Sequence, residues 1–372
     1  MRVLHVVADG DPGWAATAAL AVIDAIPPAR GVRHTLVTET GSPLAATARA
    51  RGIPTATRAF QRARRFGVLR PRLVETVWEM APDVVHAHGI QAGFAVLPAL
   101  SWLGLPMVMT MPAVAPPRAG WLMRLVRRFE RAAAIRGASV LAFGTAAELN
   151  AARARGVLGP GRRAIVAPPP LDLEALPERR AAAPSMLLQG RLHADFPCGR
   201  VVAALAAAGE PLRLTVLADG PGAPRLGAAL AEAGLGDRAD WPGPQPRHQA
   251  LLLLAEARLV LDPRGGEGVP IGLIEAGALG VPVVTPARPA LQEVLGIDGI
   301  DPAAPDPAWA EGTRAALAGQ VPPLRAAVRS WMAAVRAADQ HLRAWDLAAA
   351  AAQAELLPAG PAGVQGAADR PA

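Results

Sequence analysis

Short uninterrupted apolar runs alternate along this chain with longer stretches whose apolar residues recur at helical spacing. The first run, Val3 to Val7, reads as a strand covered on both faces. Helical patterns follow over Ala15 to Ile26, Pro43 to Arg51, Arg70 to Met80, Gly93 to Leu103 and Trp121 to Arg136. Between and after them fall strand runs at His34 to Thr38, Pro54 to Arg58, Val84 to Ala87, Met107 to Thr110 and Ser139 to Ala142. The rhythm breaks at Pro168-Pro169-Pro170, and the polar, Ala-rich stretch Arg179 to Pro184 reads as a linker. It then restarts with strands at Met186 to Gln189, Arg213 to Ala218, Asp240 to Trp241, Leu259 to Leu261 and Val283 to Thr285. Helices at Gly199 to Ala208, Pro224 to Ala233, Gln249 to Ala255 and Pro307 to Ala318 alternate with these, together with one that opens near Pro270. Such alternation predicts an α/β protein of two doubly wound parallel-sheet domains, with ligand held in the cleft at the carboxyl ends of the strands. The expected division is 1–178 and 179–323, then C-terminal helices over 324–357 that pack back on the first domain, then a disordered Gly/Pro/Ala-rich tail over 358–372.

Composition changes this picture in three places. Hydrophobic residues are 52% and aromatics 4%, so Ala, Val and Leu must fill the cores. There is no Lys, and all 38 basic residues are Arg, a bias that discounts any single arginine as a functional signal. Cys198 stands alone, which excludes an internal disulfide and a cysteine metal cluster and suits a reducing, cytoplasmic compartment. The charge is uneven: residues 1–180 carry 23 Arg against 12 acidic residues, whereas 181–372 carry 15 against 19. A basic first half points to an anionic partner, either a membrane surface or a glycan. Nucleic acid is not expected, because the basic regions hold few aromatics to stack bases. Residues 92–117 are uncharged, but Pro98, Pro106 and Pro112 divide them, so they read as helix, turn and buried strand rather than as a membrane span.

The densest chemistry lies in Gly265 to Pro282. Glu267 and Glu275 flank seven residues in which a loop opens into an apolar helix, with Pro270 expected at its first position and Gly280 at its end. A structural reading gives Glu267 to the helix dipole and Glu275 to an internal partner. A functional reading has the helix N-terminus bind phosphate while both carboxylates accept bonds from sugar hydroxyls. In the first half, His86 and His88 lie on one strand; alternation is taken to put them on opposite faces, with His88 towards the cleft. No third ligand at suitable spacing supports a metal site. The helix from Trp121 is two-faced: Trp121, Leu122, Leu125, Val126, Phe129 and Ala133 gather on one side, and Arg124, Arg127, Arg128 and Arg131 on the other. It reads as a surface helix packed on the sheet or as an interfacial helix on anionic lipid, with Arg58, Arg62, Arg64, Arg65, Arg70 and Arg72 as a second basic patch.

Several of these stretches resemble retaining GT-B glycosyltransferases of the family-four type. Gln189-Gly190-Arg191-Leu192 resembles the family's Gly-Arg-Leu, Asp219-Gly220-Pro221 its Gly-Asp-Gly-Pro turn, and Glu267 to Glu275 its Glu-x7-Glu helix. Asp83 to Gly89 and Pro168 to Asp172 resemble first-domain motifs, and Glu293 falls where a downstream acidic residue is common. The resemblance implies two Rossmann-like domains, a nucleotide-sugar donor bound by the second and a glycan or lipid-linked acceptor bound by the first, with no cofactor and no metal. By it Glu275 would hold the ribose and Glu267 the donor sugar, with His88 a second catalytic candidate. Arg191 and the amides of Gly268 and Val269 would meet the diphosphate, with Asp219 and Gly220 nearby. The chain also departs from the pattern. Phe196 stands where the family has a lysine, with Arg200 a nearby substitute; Pro270 replaces a loop glycine; and Met111-Pro112 replaces a histidine. The alternative implied is a degenerate, non-catalytic GT-B-like protein that binds nucleotide or glycan. A nicotinamide-dependent oxidoreductase lacks its Gly-x-Gly-x-x-Gly after the first strand.

Overall fold

The computed structural model describes residues 1–10, 13–60, 69–111, 121–159, 161–180, 184–209, 211–266, 268–320, 322 and 324–356, with backbone alone at 69–72, 121–127 and 354–356. Glu267, Pro112, Arg62, Arg64, Arg65, the side chains of Arg70, Arg72, Arg124 and Arg127, and the 358–372 tail therefore lie outside the described residues.

The first sheet contains β1 (Arg2–Val7), β2 (Arg33–Glu39), β3 (Thr55–Arg58), β4 (Val84–His88), β5 (Met107–Thr110), β6 (Val140–Phe143) and β7 (Ala164–Val166). All its pairings are parallel, in the order β3-β2-β1-β4-β5-β6-β7. The helices that cross between these strands are α1 (Trp14–Ala25), α2 (Pro43–Ala50), α3 (Leu69–Met80), α4 (Ile90–Leu103), α5 (Trp121–Gly137) and α6 (Ala146–Ala154). The second sheet, also parallel, runs β10-β9-β8-β11-β12 and is built from β8 (Ser185–Arg191), β9 (Arg213–Asp219), β10 (Ala239–Asp240), β11 (Leu259–Leu261) and β12 (Val283–Val284). Around it lie α7 (Cys198–Ala208), α8 (Ala223–Glu232), α9 (Arg247–Glu256), α10 (Ile271–Leu279), α11 (Pro289–Leu295) and α12 (Asp306–Leu317). Strand order reverses at β1/β4 and at β8/β11, and these switch points open the crevices where ligands of such sheets sit.

The apolar runs form strands because both faces are covered: Val3, Leu4, Val6 and Val7 are fully buried, as are Met186, Leu187 and Leu188. The described part of this stretch, residues 92–111, forms most of α4, a left-handed Gly104 that ends it, and buried β5, as expected. Among the described residues no helix is long and apolar enough to cross a membrane. Three elements were not read from the pattern, namely α6, β7 and α11. The first carried an unused signal, a Thr145-x-x-Glu148 capping box in which each side chain bonds the other's backbone N–H.

Beyond the second sheet, α13 (Leu324–Val335) packs against that domain, with Val328 and Trp331 in its core. Arg336 then takes a left-handed conformation, and α14 (Ala337–Leu356) returns to the first domain. There Ala344, Trp345 and Ala348 pack against Val3, Val84, Val108 and Val140.

The expectation that His86 and His88 face opposite sides is wrong. Residues two apart on a strand share a face, and the two rings lie 4.2 Å apart between centroids. His5 is paired in register with His86 on the neighbouring strand and joins them.

Candidate functional site

Glu275 sits in the middle of α10 and is 5% exposed. Burial pushes its carboxyl above the usual carboxylate range, and Arg247 of α9 pulls it back through an ion pair. The Arg247 contact at Oε1 uses one of the carboxylate's about four acceptor sites, so the group keeps accepting capacity. Pro270 occupies the N-cap of α10, one residue before the position expected for it, and its carbonyl accepts from Leu273. Gly272 in the first turn lies against the Gln189 amide, where any side chain at 272 would collide. Gln189 Nε2 is buried with no hydrogen-bond partner among the described residues.

The loop before α10 is held from below by charge. Asp262, at the end of β11, is buried and accepts from Arg264 Nε at 2.6 Å and from Arg288 Nη2 at 3.1 Å. Arg288 is buried too. It also donates to Thr285 Oγ1 (2.8 Å), to the Arg264 carbonyl (3.0 Å) and to the Gly268 carbonyl (2.9 Å). It thereby ties the chain on both sides of Glu267. A buried charge is tolerated only when paired and hydrogen-bonded, and here Asp262 and Arg288 satisfy each other. Gly268 therefore turns its carbonyl inward to Arg288, and Val269 packs on the second domain's core.

Arg191 ends β8 and reaches across to the first domain, where its Nη1 lies 3.5 Å from Asp9 Oδ2. Asp219 and Gly220 form the turn after β9, with Asp219 Oδ1 accepting from the Gly220 amide at 2.6 Å. Gly220 lies so close to the Leu192 backbone, at a φ of +142°, that no other residue fits. Phe196 is in the second domain's core. Arg200 donates to the carbonyls of Pro263 (2.9 Å) and Pro302 (2.6 Å) and stacks on Trp309, so it braces backbone. The structure thus brings Arg191, Gly190, Gln189, Gly268, Asp219 and α10 to one end of the second sheet, and adds Arg264, Asp262 and Arg288, which sequence reasoning missed.

The first domain, with α14, buries five of the chain's seven histidines around Trp345. The Ile26 carbonyl can only accept, so His34 Nε2 donates to it (2.7 Å). His34 Nδ1 then accepts from His5 Nε2 (2.9 Å), and His5 Nδ1 from His88 Nε2 (3.0 Å). This chain leaves His88 Nδ1 a bare, buried lone pair with no partner among the described residues. His86 Nε2 bonds Thr110 Oγ1 at 2.7 Å, and His341 Nε2 donates to the Pro168 carbonyl at 3.0 Å. Burial first, and then neighbouring histidines, hold His5 and His86 well below the ordinary imidazole range; His88 is lowered to about 3 and His341 to about 4. All are therefore neutral near pH 7. The spacing argument against a third metal ligand overlooked His5, which brings a ring nitrogen within 4.8 Å of those of His86 and His88. His5 and His88 already direct those nitrogens at each other. At 3% exposed, His88 lies within this network rather than on the cleft surface.

Residues 15–170 match the "Glycosyl transferase 4-like domain" family and residues 186–319 the "Glycosyl transferases group 1" family. The "Putative colanic acid biosynthesis glycosyltransferase WcaL" of Salmonella typhimurium is 32% identical over 97 residues. That match spans 24% of this chain and 24% of the relative, about a quarter of its length. Among solved structures, Anabaena Alr3699/HepE in complex with UDP and glucose superposes with a TM-score of 0.74 at 16% identity, covering 93% of this chain and 99% of that one. Sucrose-phosphate synthase from Thermosynechococcus elongatus gives 0.70 at 17% identity, covering 94% and 100%. At such identities the two structures speak for the shared two-domain fold alone.

Proposed function

The chain belongs to the GT-B glycosyltransferases of the family-four type, and from that membership we propose that it moves a sugar, with retention of anomeric configuration, from a nucleotide sugar to a glycan or lipid-linked acceptor in polysaccharide or glycolipid synthesis. The observation that carries this reading is Glu275: a buried carboxylate, paired with Arg247 alone among the described residues, in the helix α10 that opens from the loop held by Arg288. A carboxylate so placed is suited to accept bonds from a ribose diol. Departure of a nucleoside diphosphate needs stabilisation of negative charge, which arginine and helix-terminal N–H groups supply. Glu267 is assigned to the donor sugar on the family pattern, and the amides of Gly268 and Val269 to the diphosphate. The named relative in colanic acid synthesis and the UDP-bound structure of the same fold agree with a nucleotide-sugar donor and a polysaccharide product.

The acceptor falls to the first domain, and a lipid-linked acceptor fits what α5 exposes. A helix packed on the sheet by its apolar stripe would bury Phe129, yet Phe129 is 62% exposed, and the described part of the helix packs through Ala134 and Ile135. Arg131, on the expected polar side, is half-buried. Phe129 is thus available to an interface, with the exposed Arg128 beside it to attract anionic headgroups.

The test is turnover of a panel of UDP-, GDP- and ADP-sugars by the full chain, with nucleotide binding measured in parallel. Release of nucleoside diphosphate from one donor, faster with a glycan or polyprenyl-linked acceptor present, is the expected result. Binding with no turnover for any donor and acceptor would sink the transferase reading in favour of a binding protein.

A further inference from the structure

The chain lacks a cation at the position of the family's lysine: Phe196 is 3% exposed and packed among Met186, Leu188 and Val201. The opposite loop holds a group in the right place and state to take over. Arg264 fastens only its Nε, to Asp262 Oδ1. Neither Nη atom has a bond to any described residue, and the side chain is 24% exposed. Its guanidinium fills the space over Gly190, where a Cβ would collide with Nη1, Nη2 and Cζ. Gly190 is next to Arg191 at the carboxyl end of β8. The two arginines therefore flank one point of the cleft, Arg191 from β8 and Arg264 from the loop after β11.

Asp262 gives this arrangement its direction. Its second oxygen is taken by Arg288 Nη2, which also reaches Thr285 and the Arg264 carbonyl, while Nη1 is spent on the Gly268 carbonyl. The Arg264 backbone and its Nε are thus both fixed. What remains is the planar edge of two Nη groups, four N–H donors preset for a bidentate contact with an oxyanion. Pairing Asp262 with two arginines leaves this cluster one positive charge in excess. A guanidinium held in place and lacking acceptors is costly unless solvent or an anion supplies them.

We propose that Arg264 is a ligand of the donor's diphosphate, supplying from the loop after β11 the charge that Phe196 has removed from the loop after β8, with Asp262 and Arg288 as its positioning residues. This rests on the donor-site reading above. The glycine at 190, favoured already by its φ of +108°, also leaves room for the guanidinium over the β8 backbone.

The experiment is calorimetric titration of the full chain with UDP, GDP and ADP, and with the matching monophosphates. It is run on the wild type, Arg264→Gln, Arg264→Lys and, as a surface control, Arg314→Gln. Melting temperature and near-ultraviolet circular dichroism check each fold. Arg264→Gln is expected to weaken the preferred nucleoside diphosphate by tenfold or more and the monophosphate by less than threefold. Arg264→Lys should fall between, because it keeps charge but loses the Asp262 tether and the fork, and Arg314→Gln should match wild type. Undiminished diphosphate affinity in folded Arg264→Gln, or equal loss for mono- and diphosphate, would overturn the assignment of Arg264 while leaving the donor site standing. Wild type that binds no nucleoside diphosphate would instead overturn the donor-site reading itself.

Discussion

Glu148 shows at the scale of one residue how burial and a neighbour set a proton. It closes the capping box at the start of α6 and is largely buried, and Glu293 of the second domain lies close by. Burial, reinforced by the Glu293 charge and opposed by the cap's hydrogen bonds, raises its carboxyl to about 7. A raised carboxyl means that the folded state holds a proton the unfolded state releases. Its stabilising contribution is complete below the unfolded value of 4.5 and is lost as pH rises through about 7. The loss amounts to something on the order of 3 kcal/mol. Glu148→Gln keeps the accepting oxygen and removes the titration. Its melting temperature should match wild type near pH 4.5 and exceed it at pH 8, and parallel profiles would refute the assignment. Residue roles were unevenly legible. Glu275, Arg191 and Asp219 stood out because motifs mark them. Asp262, Arg264 and Arg288 did not, since loops after two different strands bring them together and an all-arginine chain hides any one arginine.

At the scale of elements, period-two and period-3.6 patterning located most strands and helices, because both sheets are buried on two sides and their strands are unbroken apolar runs. It failed where an element carries little apolar signal. β7 is three half-buried residues at a sheet edge, and α6 is mostly Ala, with Leu149 its one large apolar residue. For α5 the hydrophobic stripe was legible but its partner was not, and both readings of the helix stayed open. The histidine cluster was beyond pattern reading because β1, β2, β4 and α14 each contribute to it. The exposed Phe129 gives α5 a test of its own. The full chain should float with vesicles containing anionic lipid, less so as salt rises, and Phe129→Ser should reduce the bound fraction several-fold. Flotation indifferent to both lipid charge and Phe129 would remove α5 from the interface.

At the scale of the whole molecule, the two domains are joined at places far apart in sequence. Arg191 meets Asp9 across the cleft. Glu293 of α11 accepts from the Ala146 and Ala147 amides at 2.9 and 2.8 Å, so one domain's carboxylate caps a helix of the other. The returning α14 buries Trp345 against the first sheet. These contacts hold the proposed donor wall, centred on Glu275 and the Arg288-held loop, opposite the first domain's Asp9. The measurement that tests this most directly is the affinity of the full chain for free UDP, GDP and ADP, compared with that of Glu275→Ala. A buried carboxylate that accepts from a ribose diol contributes about 1.5–3 kcal/mol. The preferred nucleotide should therefore bind the variant roughly ten- to a hundredfold more weakly. Equal affinity in a folded Glu275→Ala variant would contradict the account.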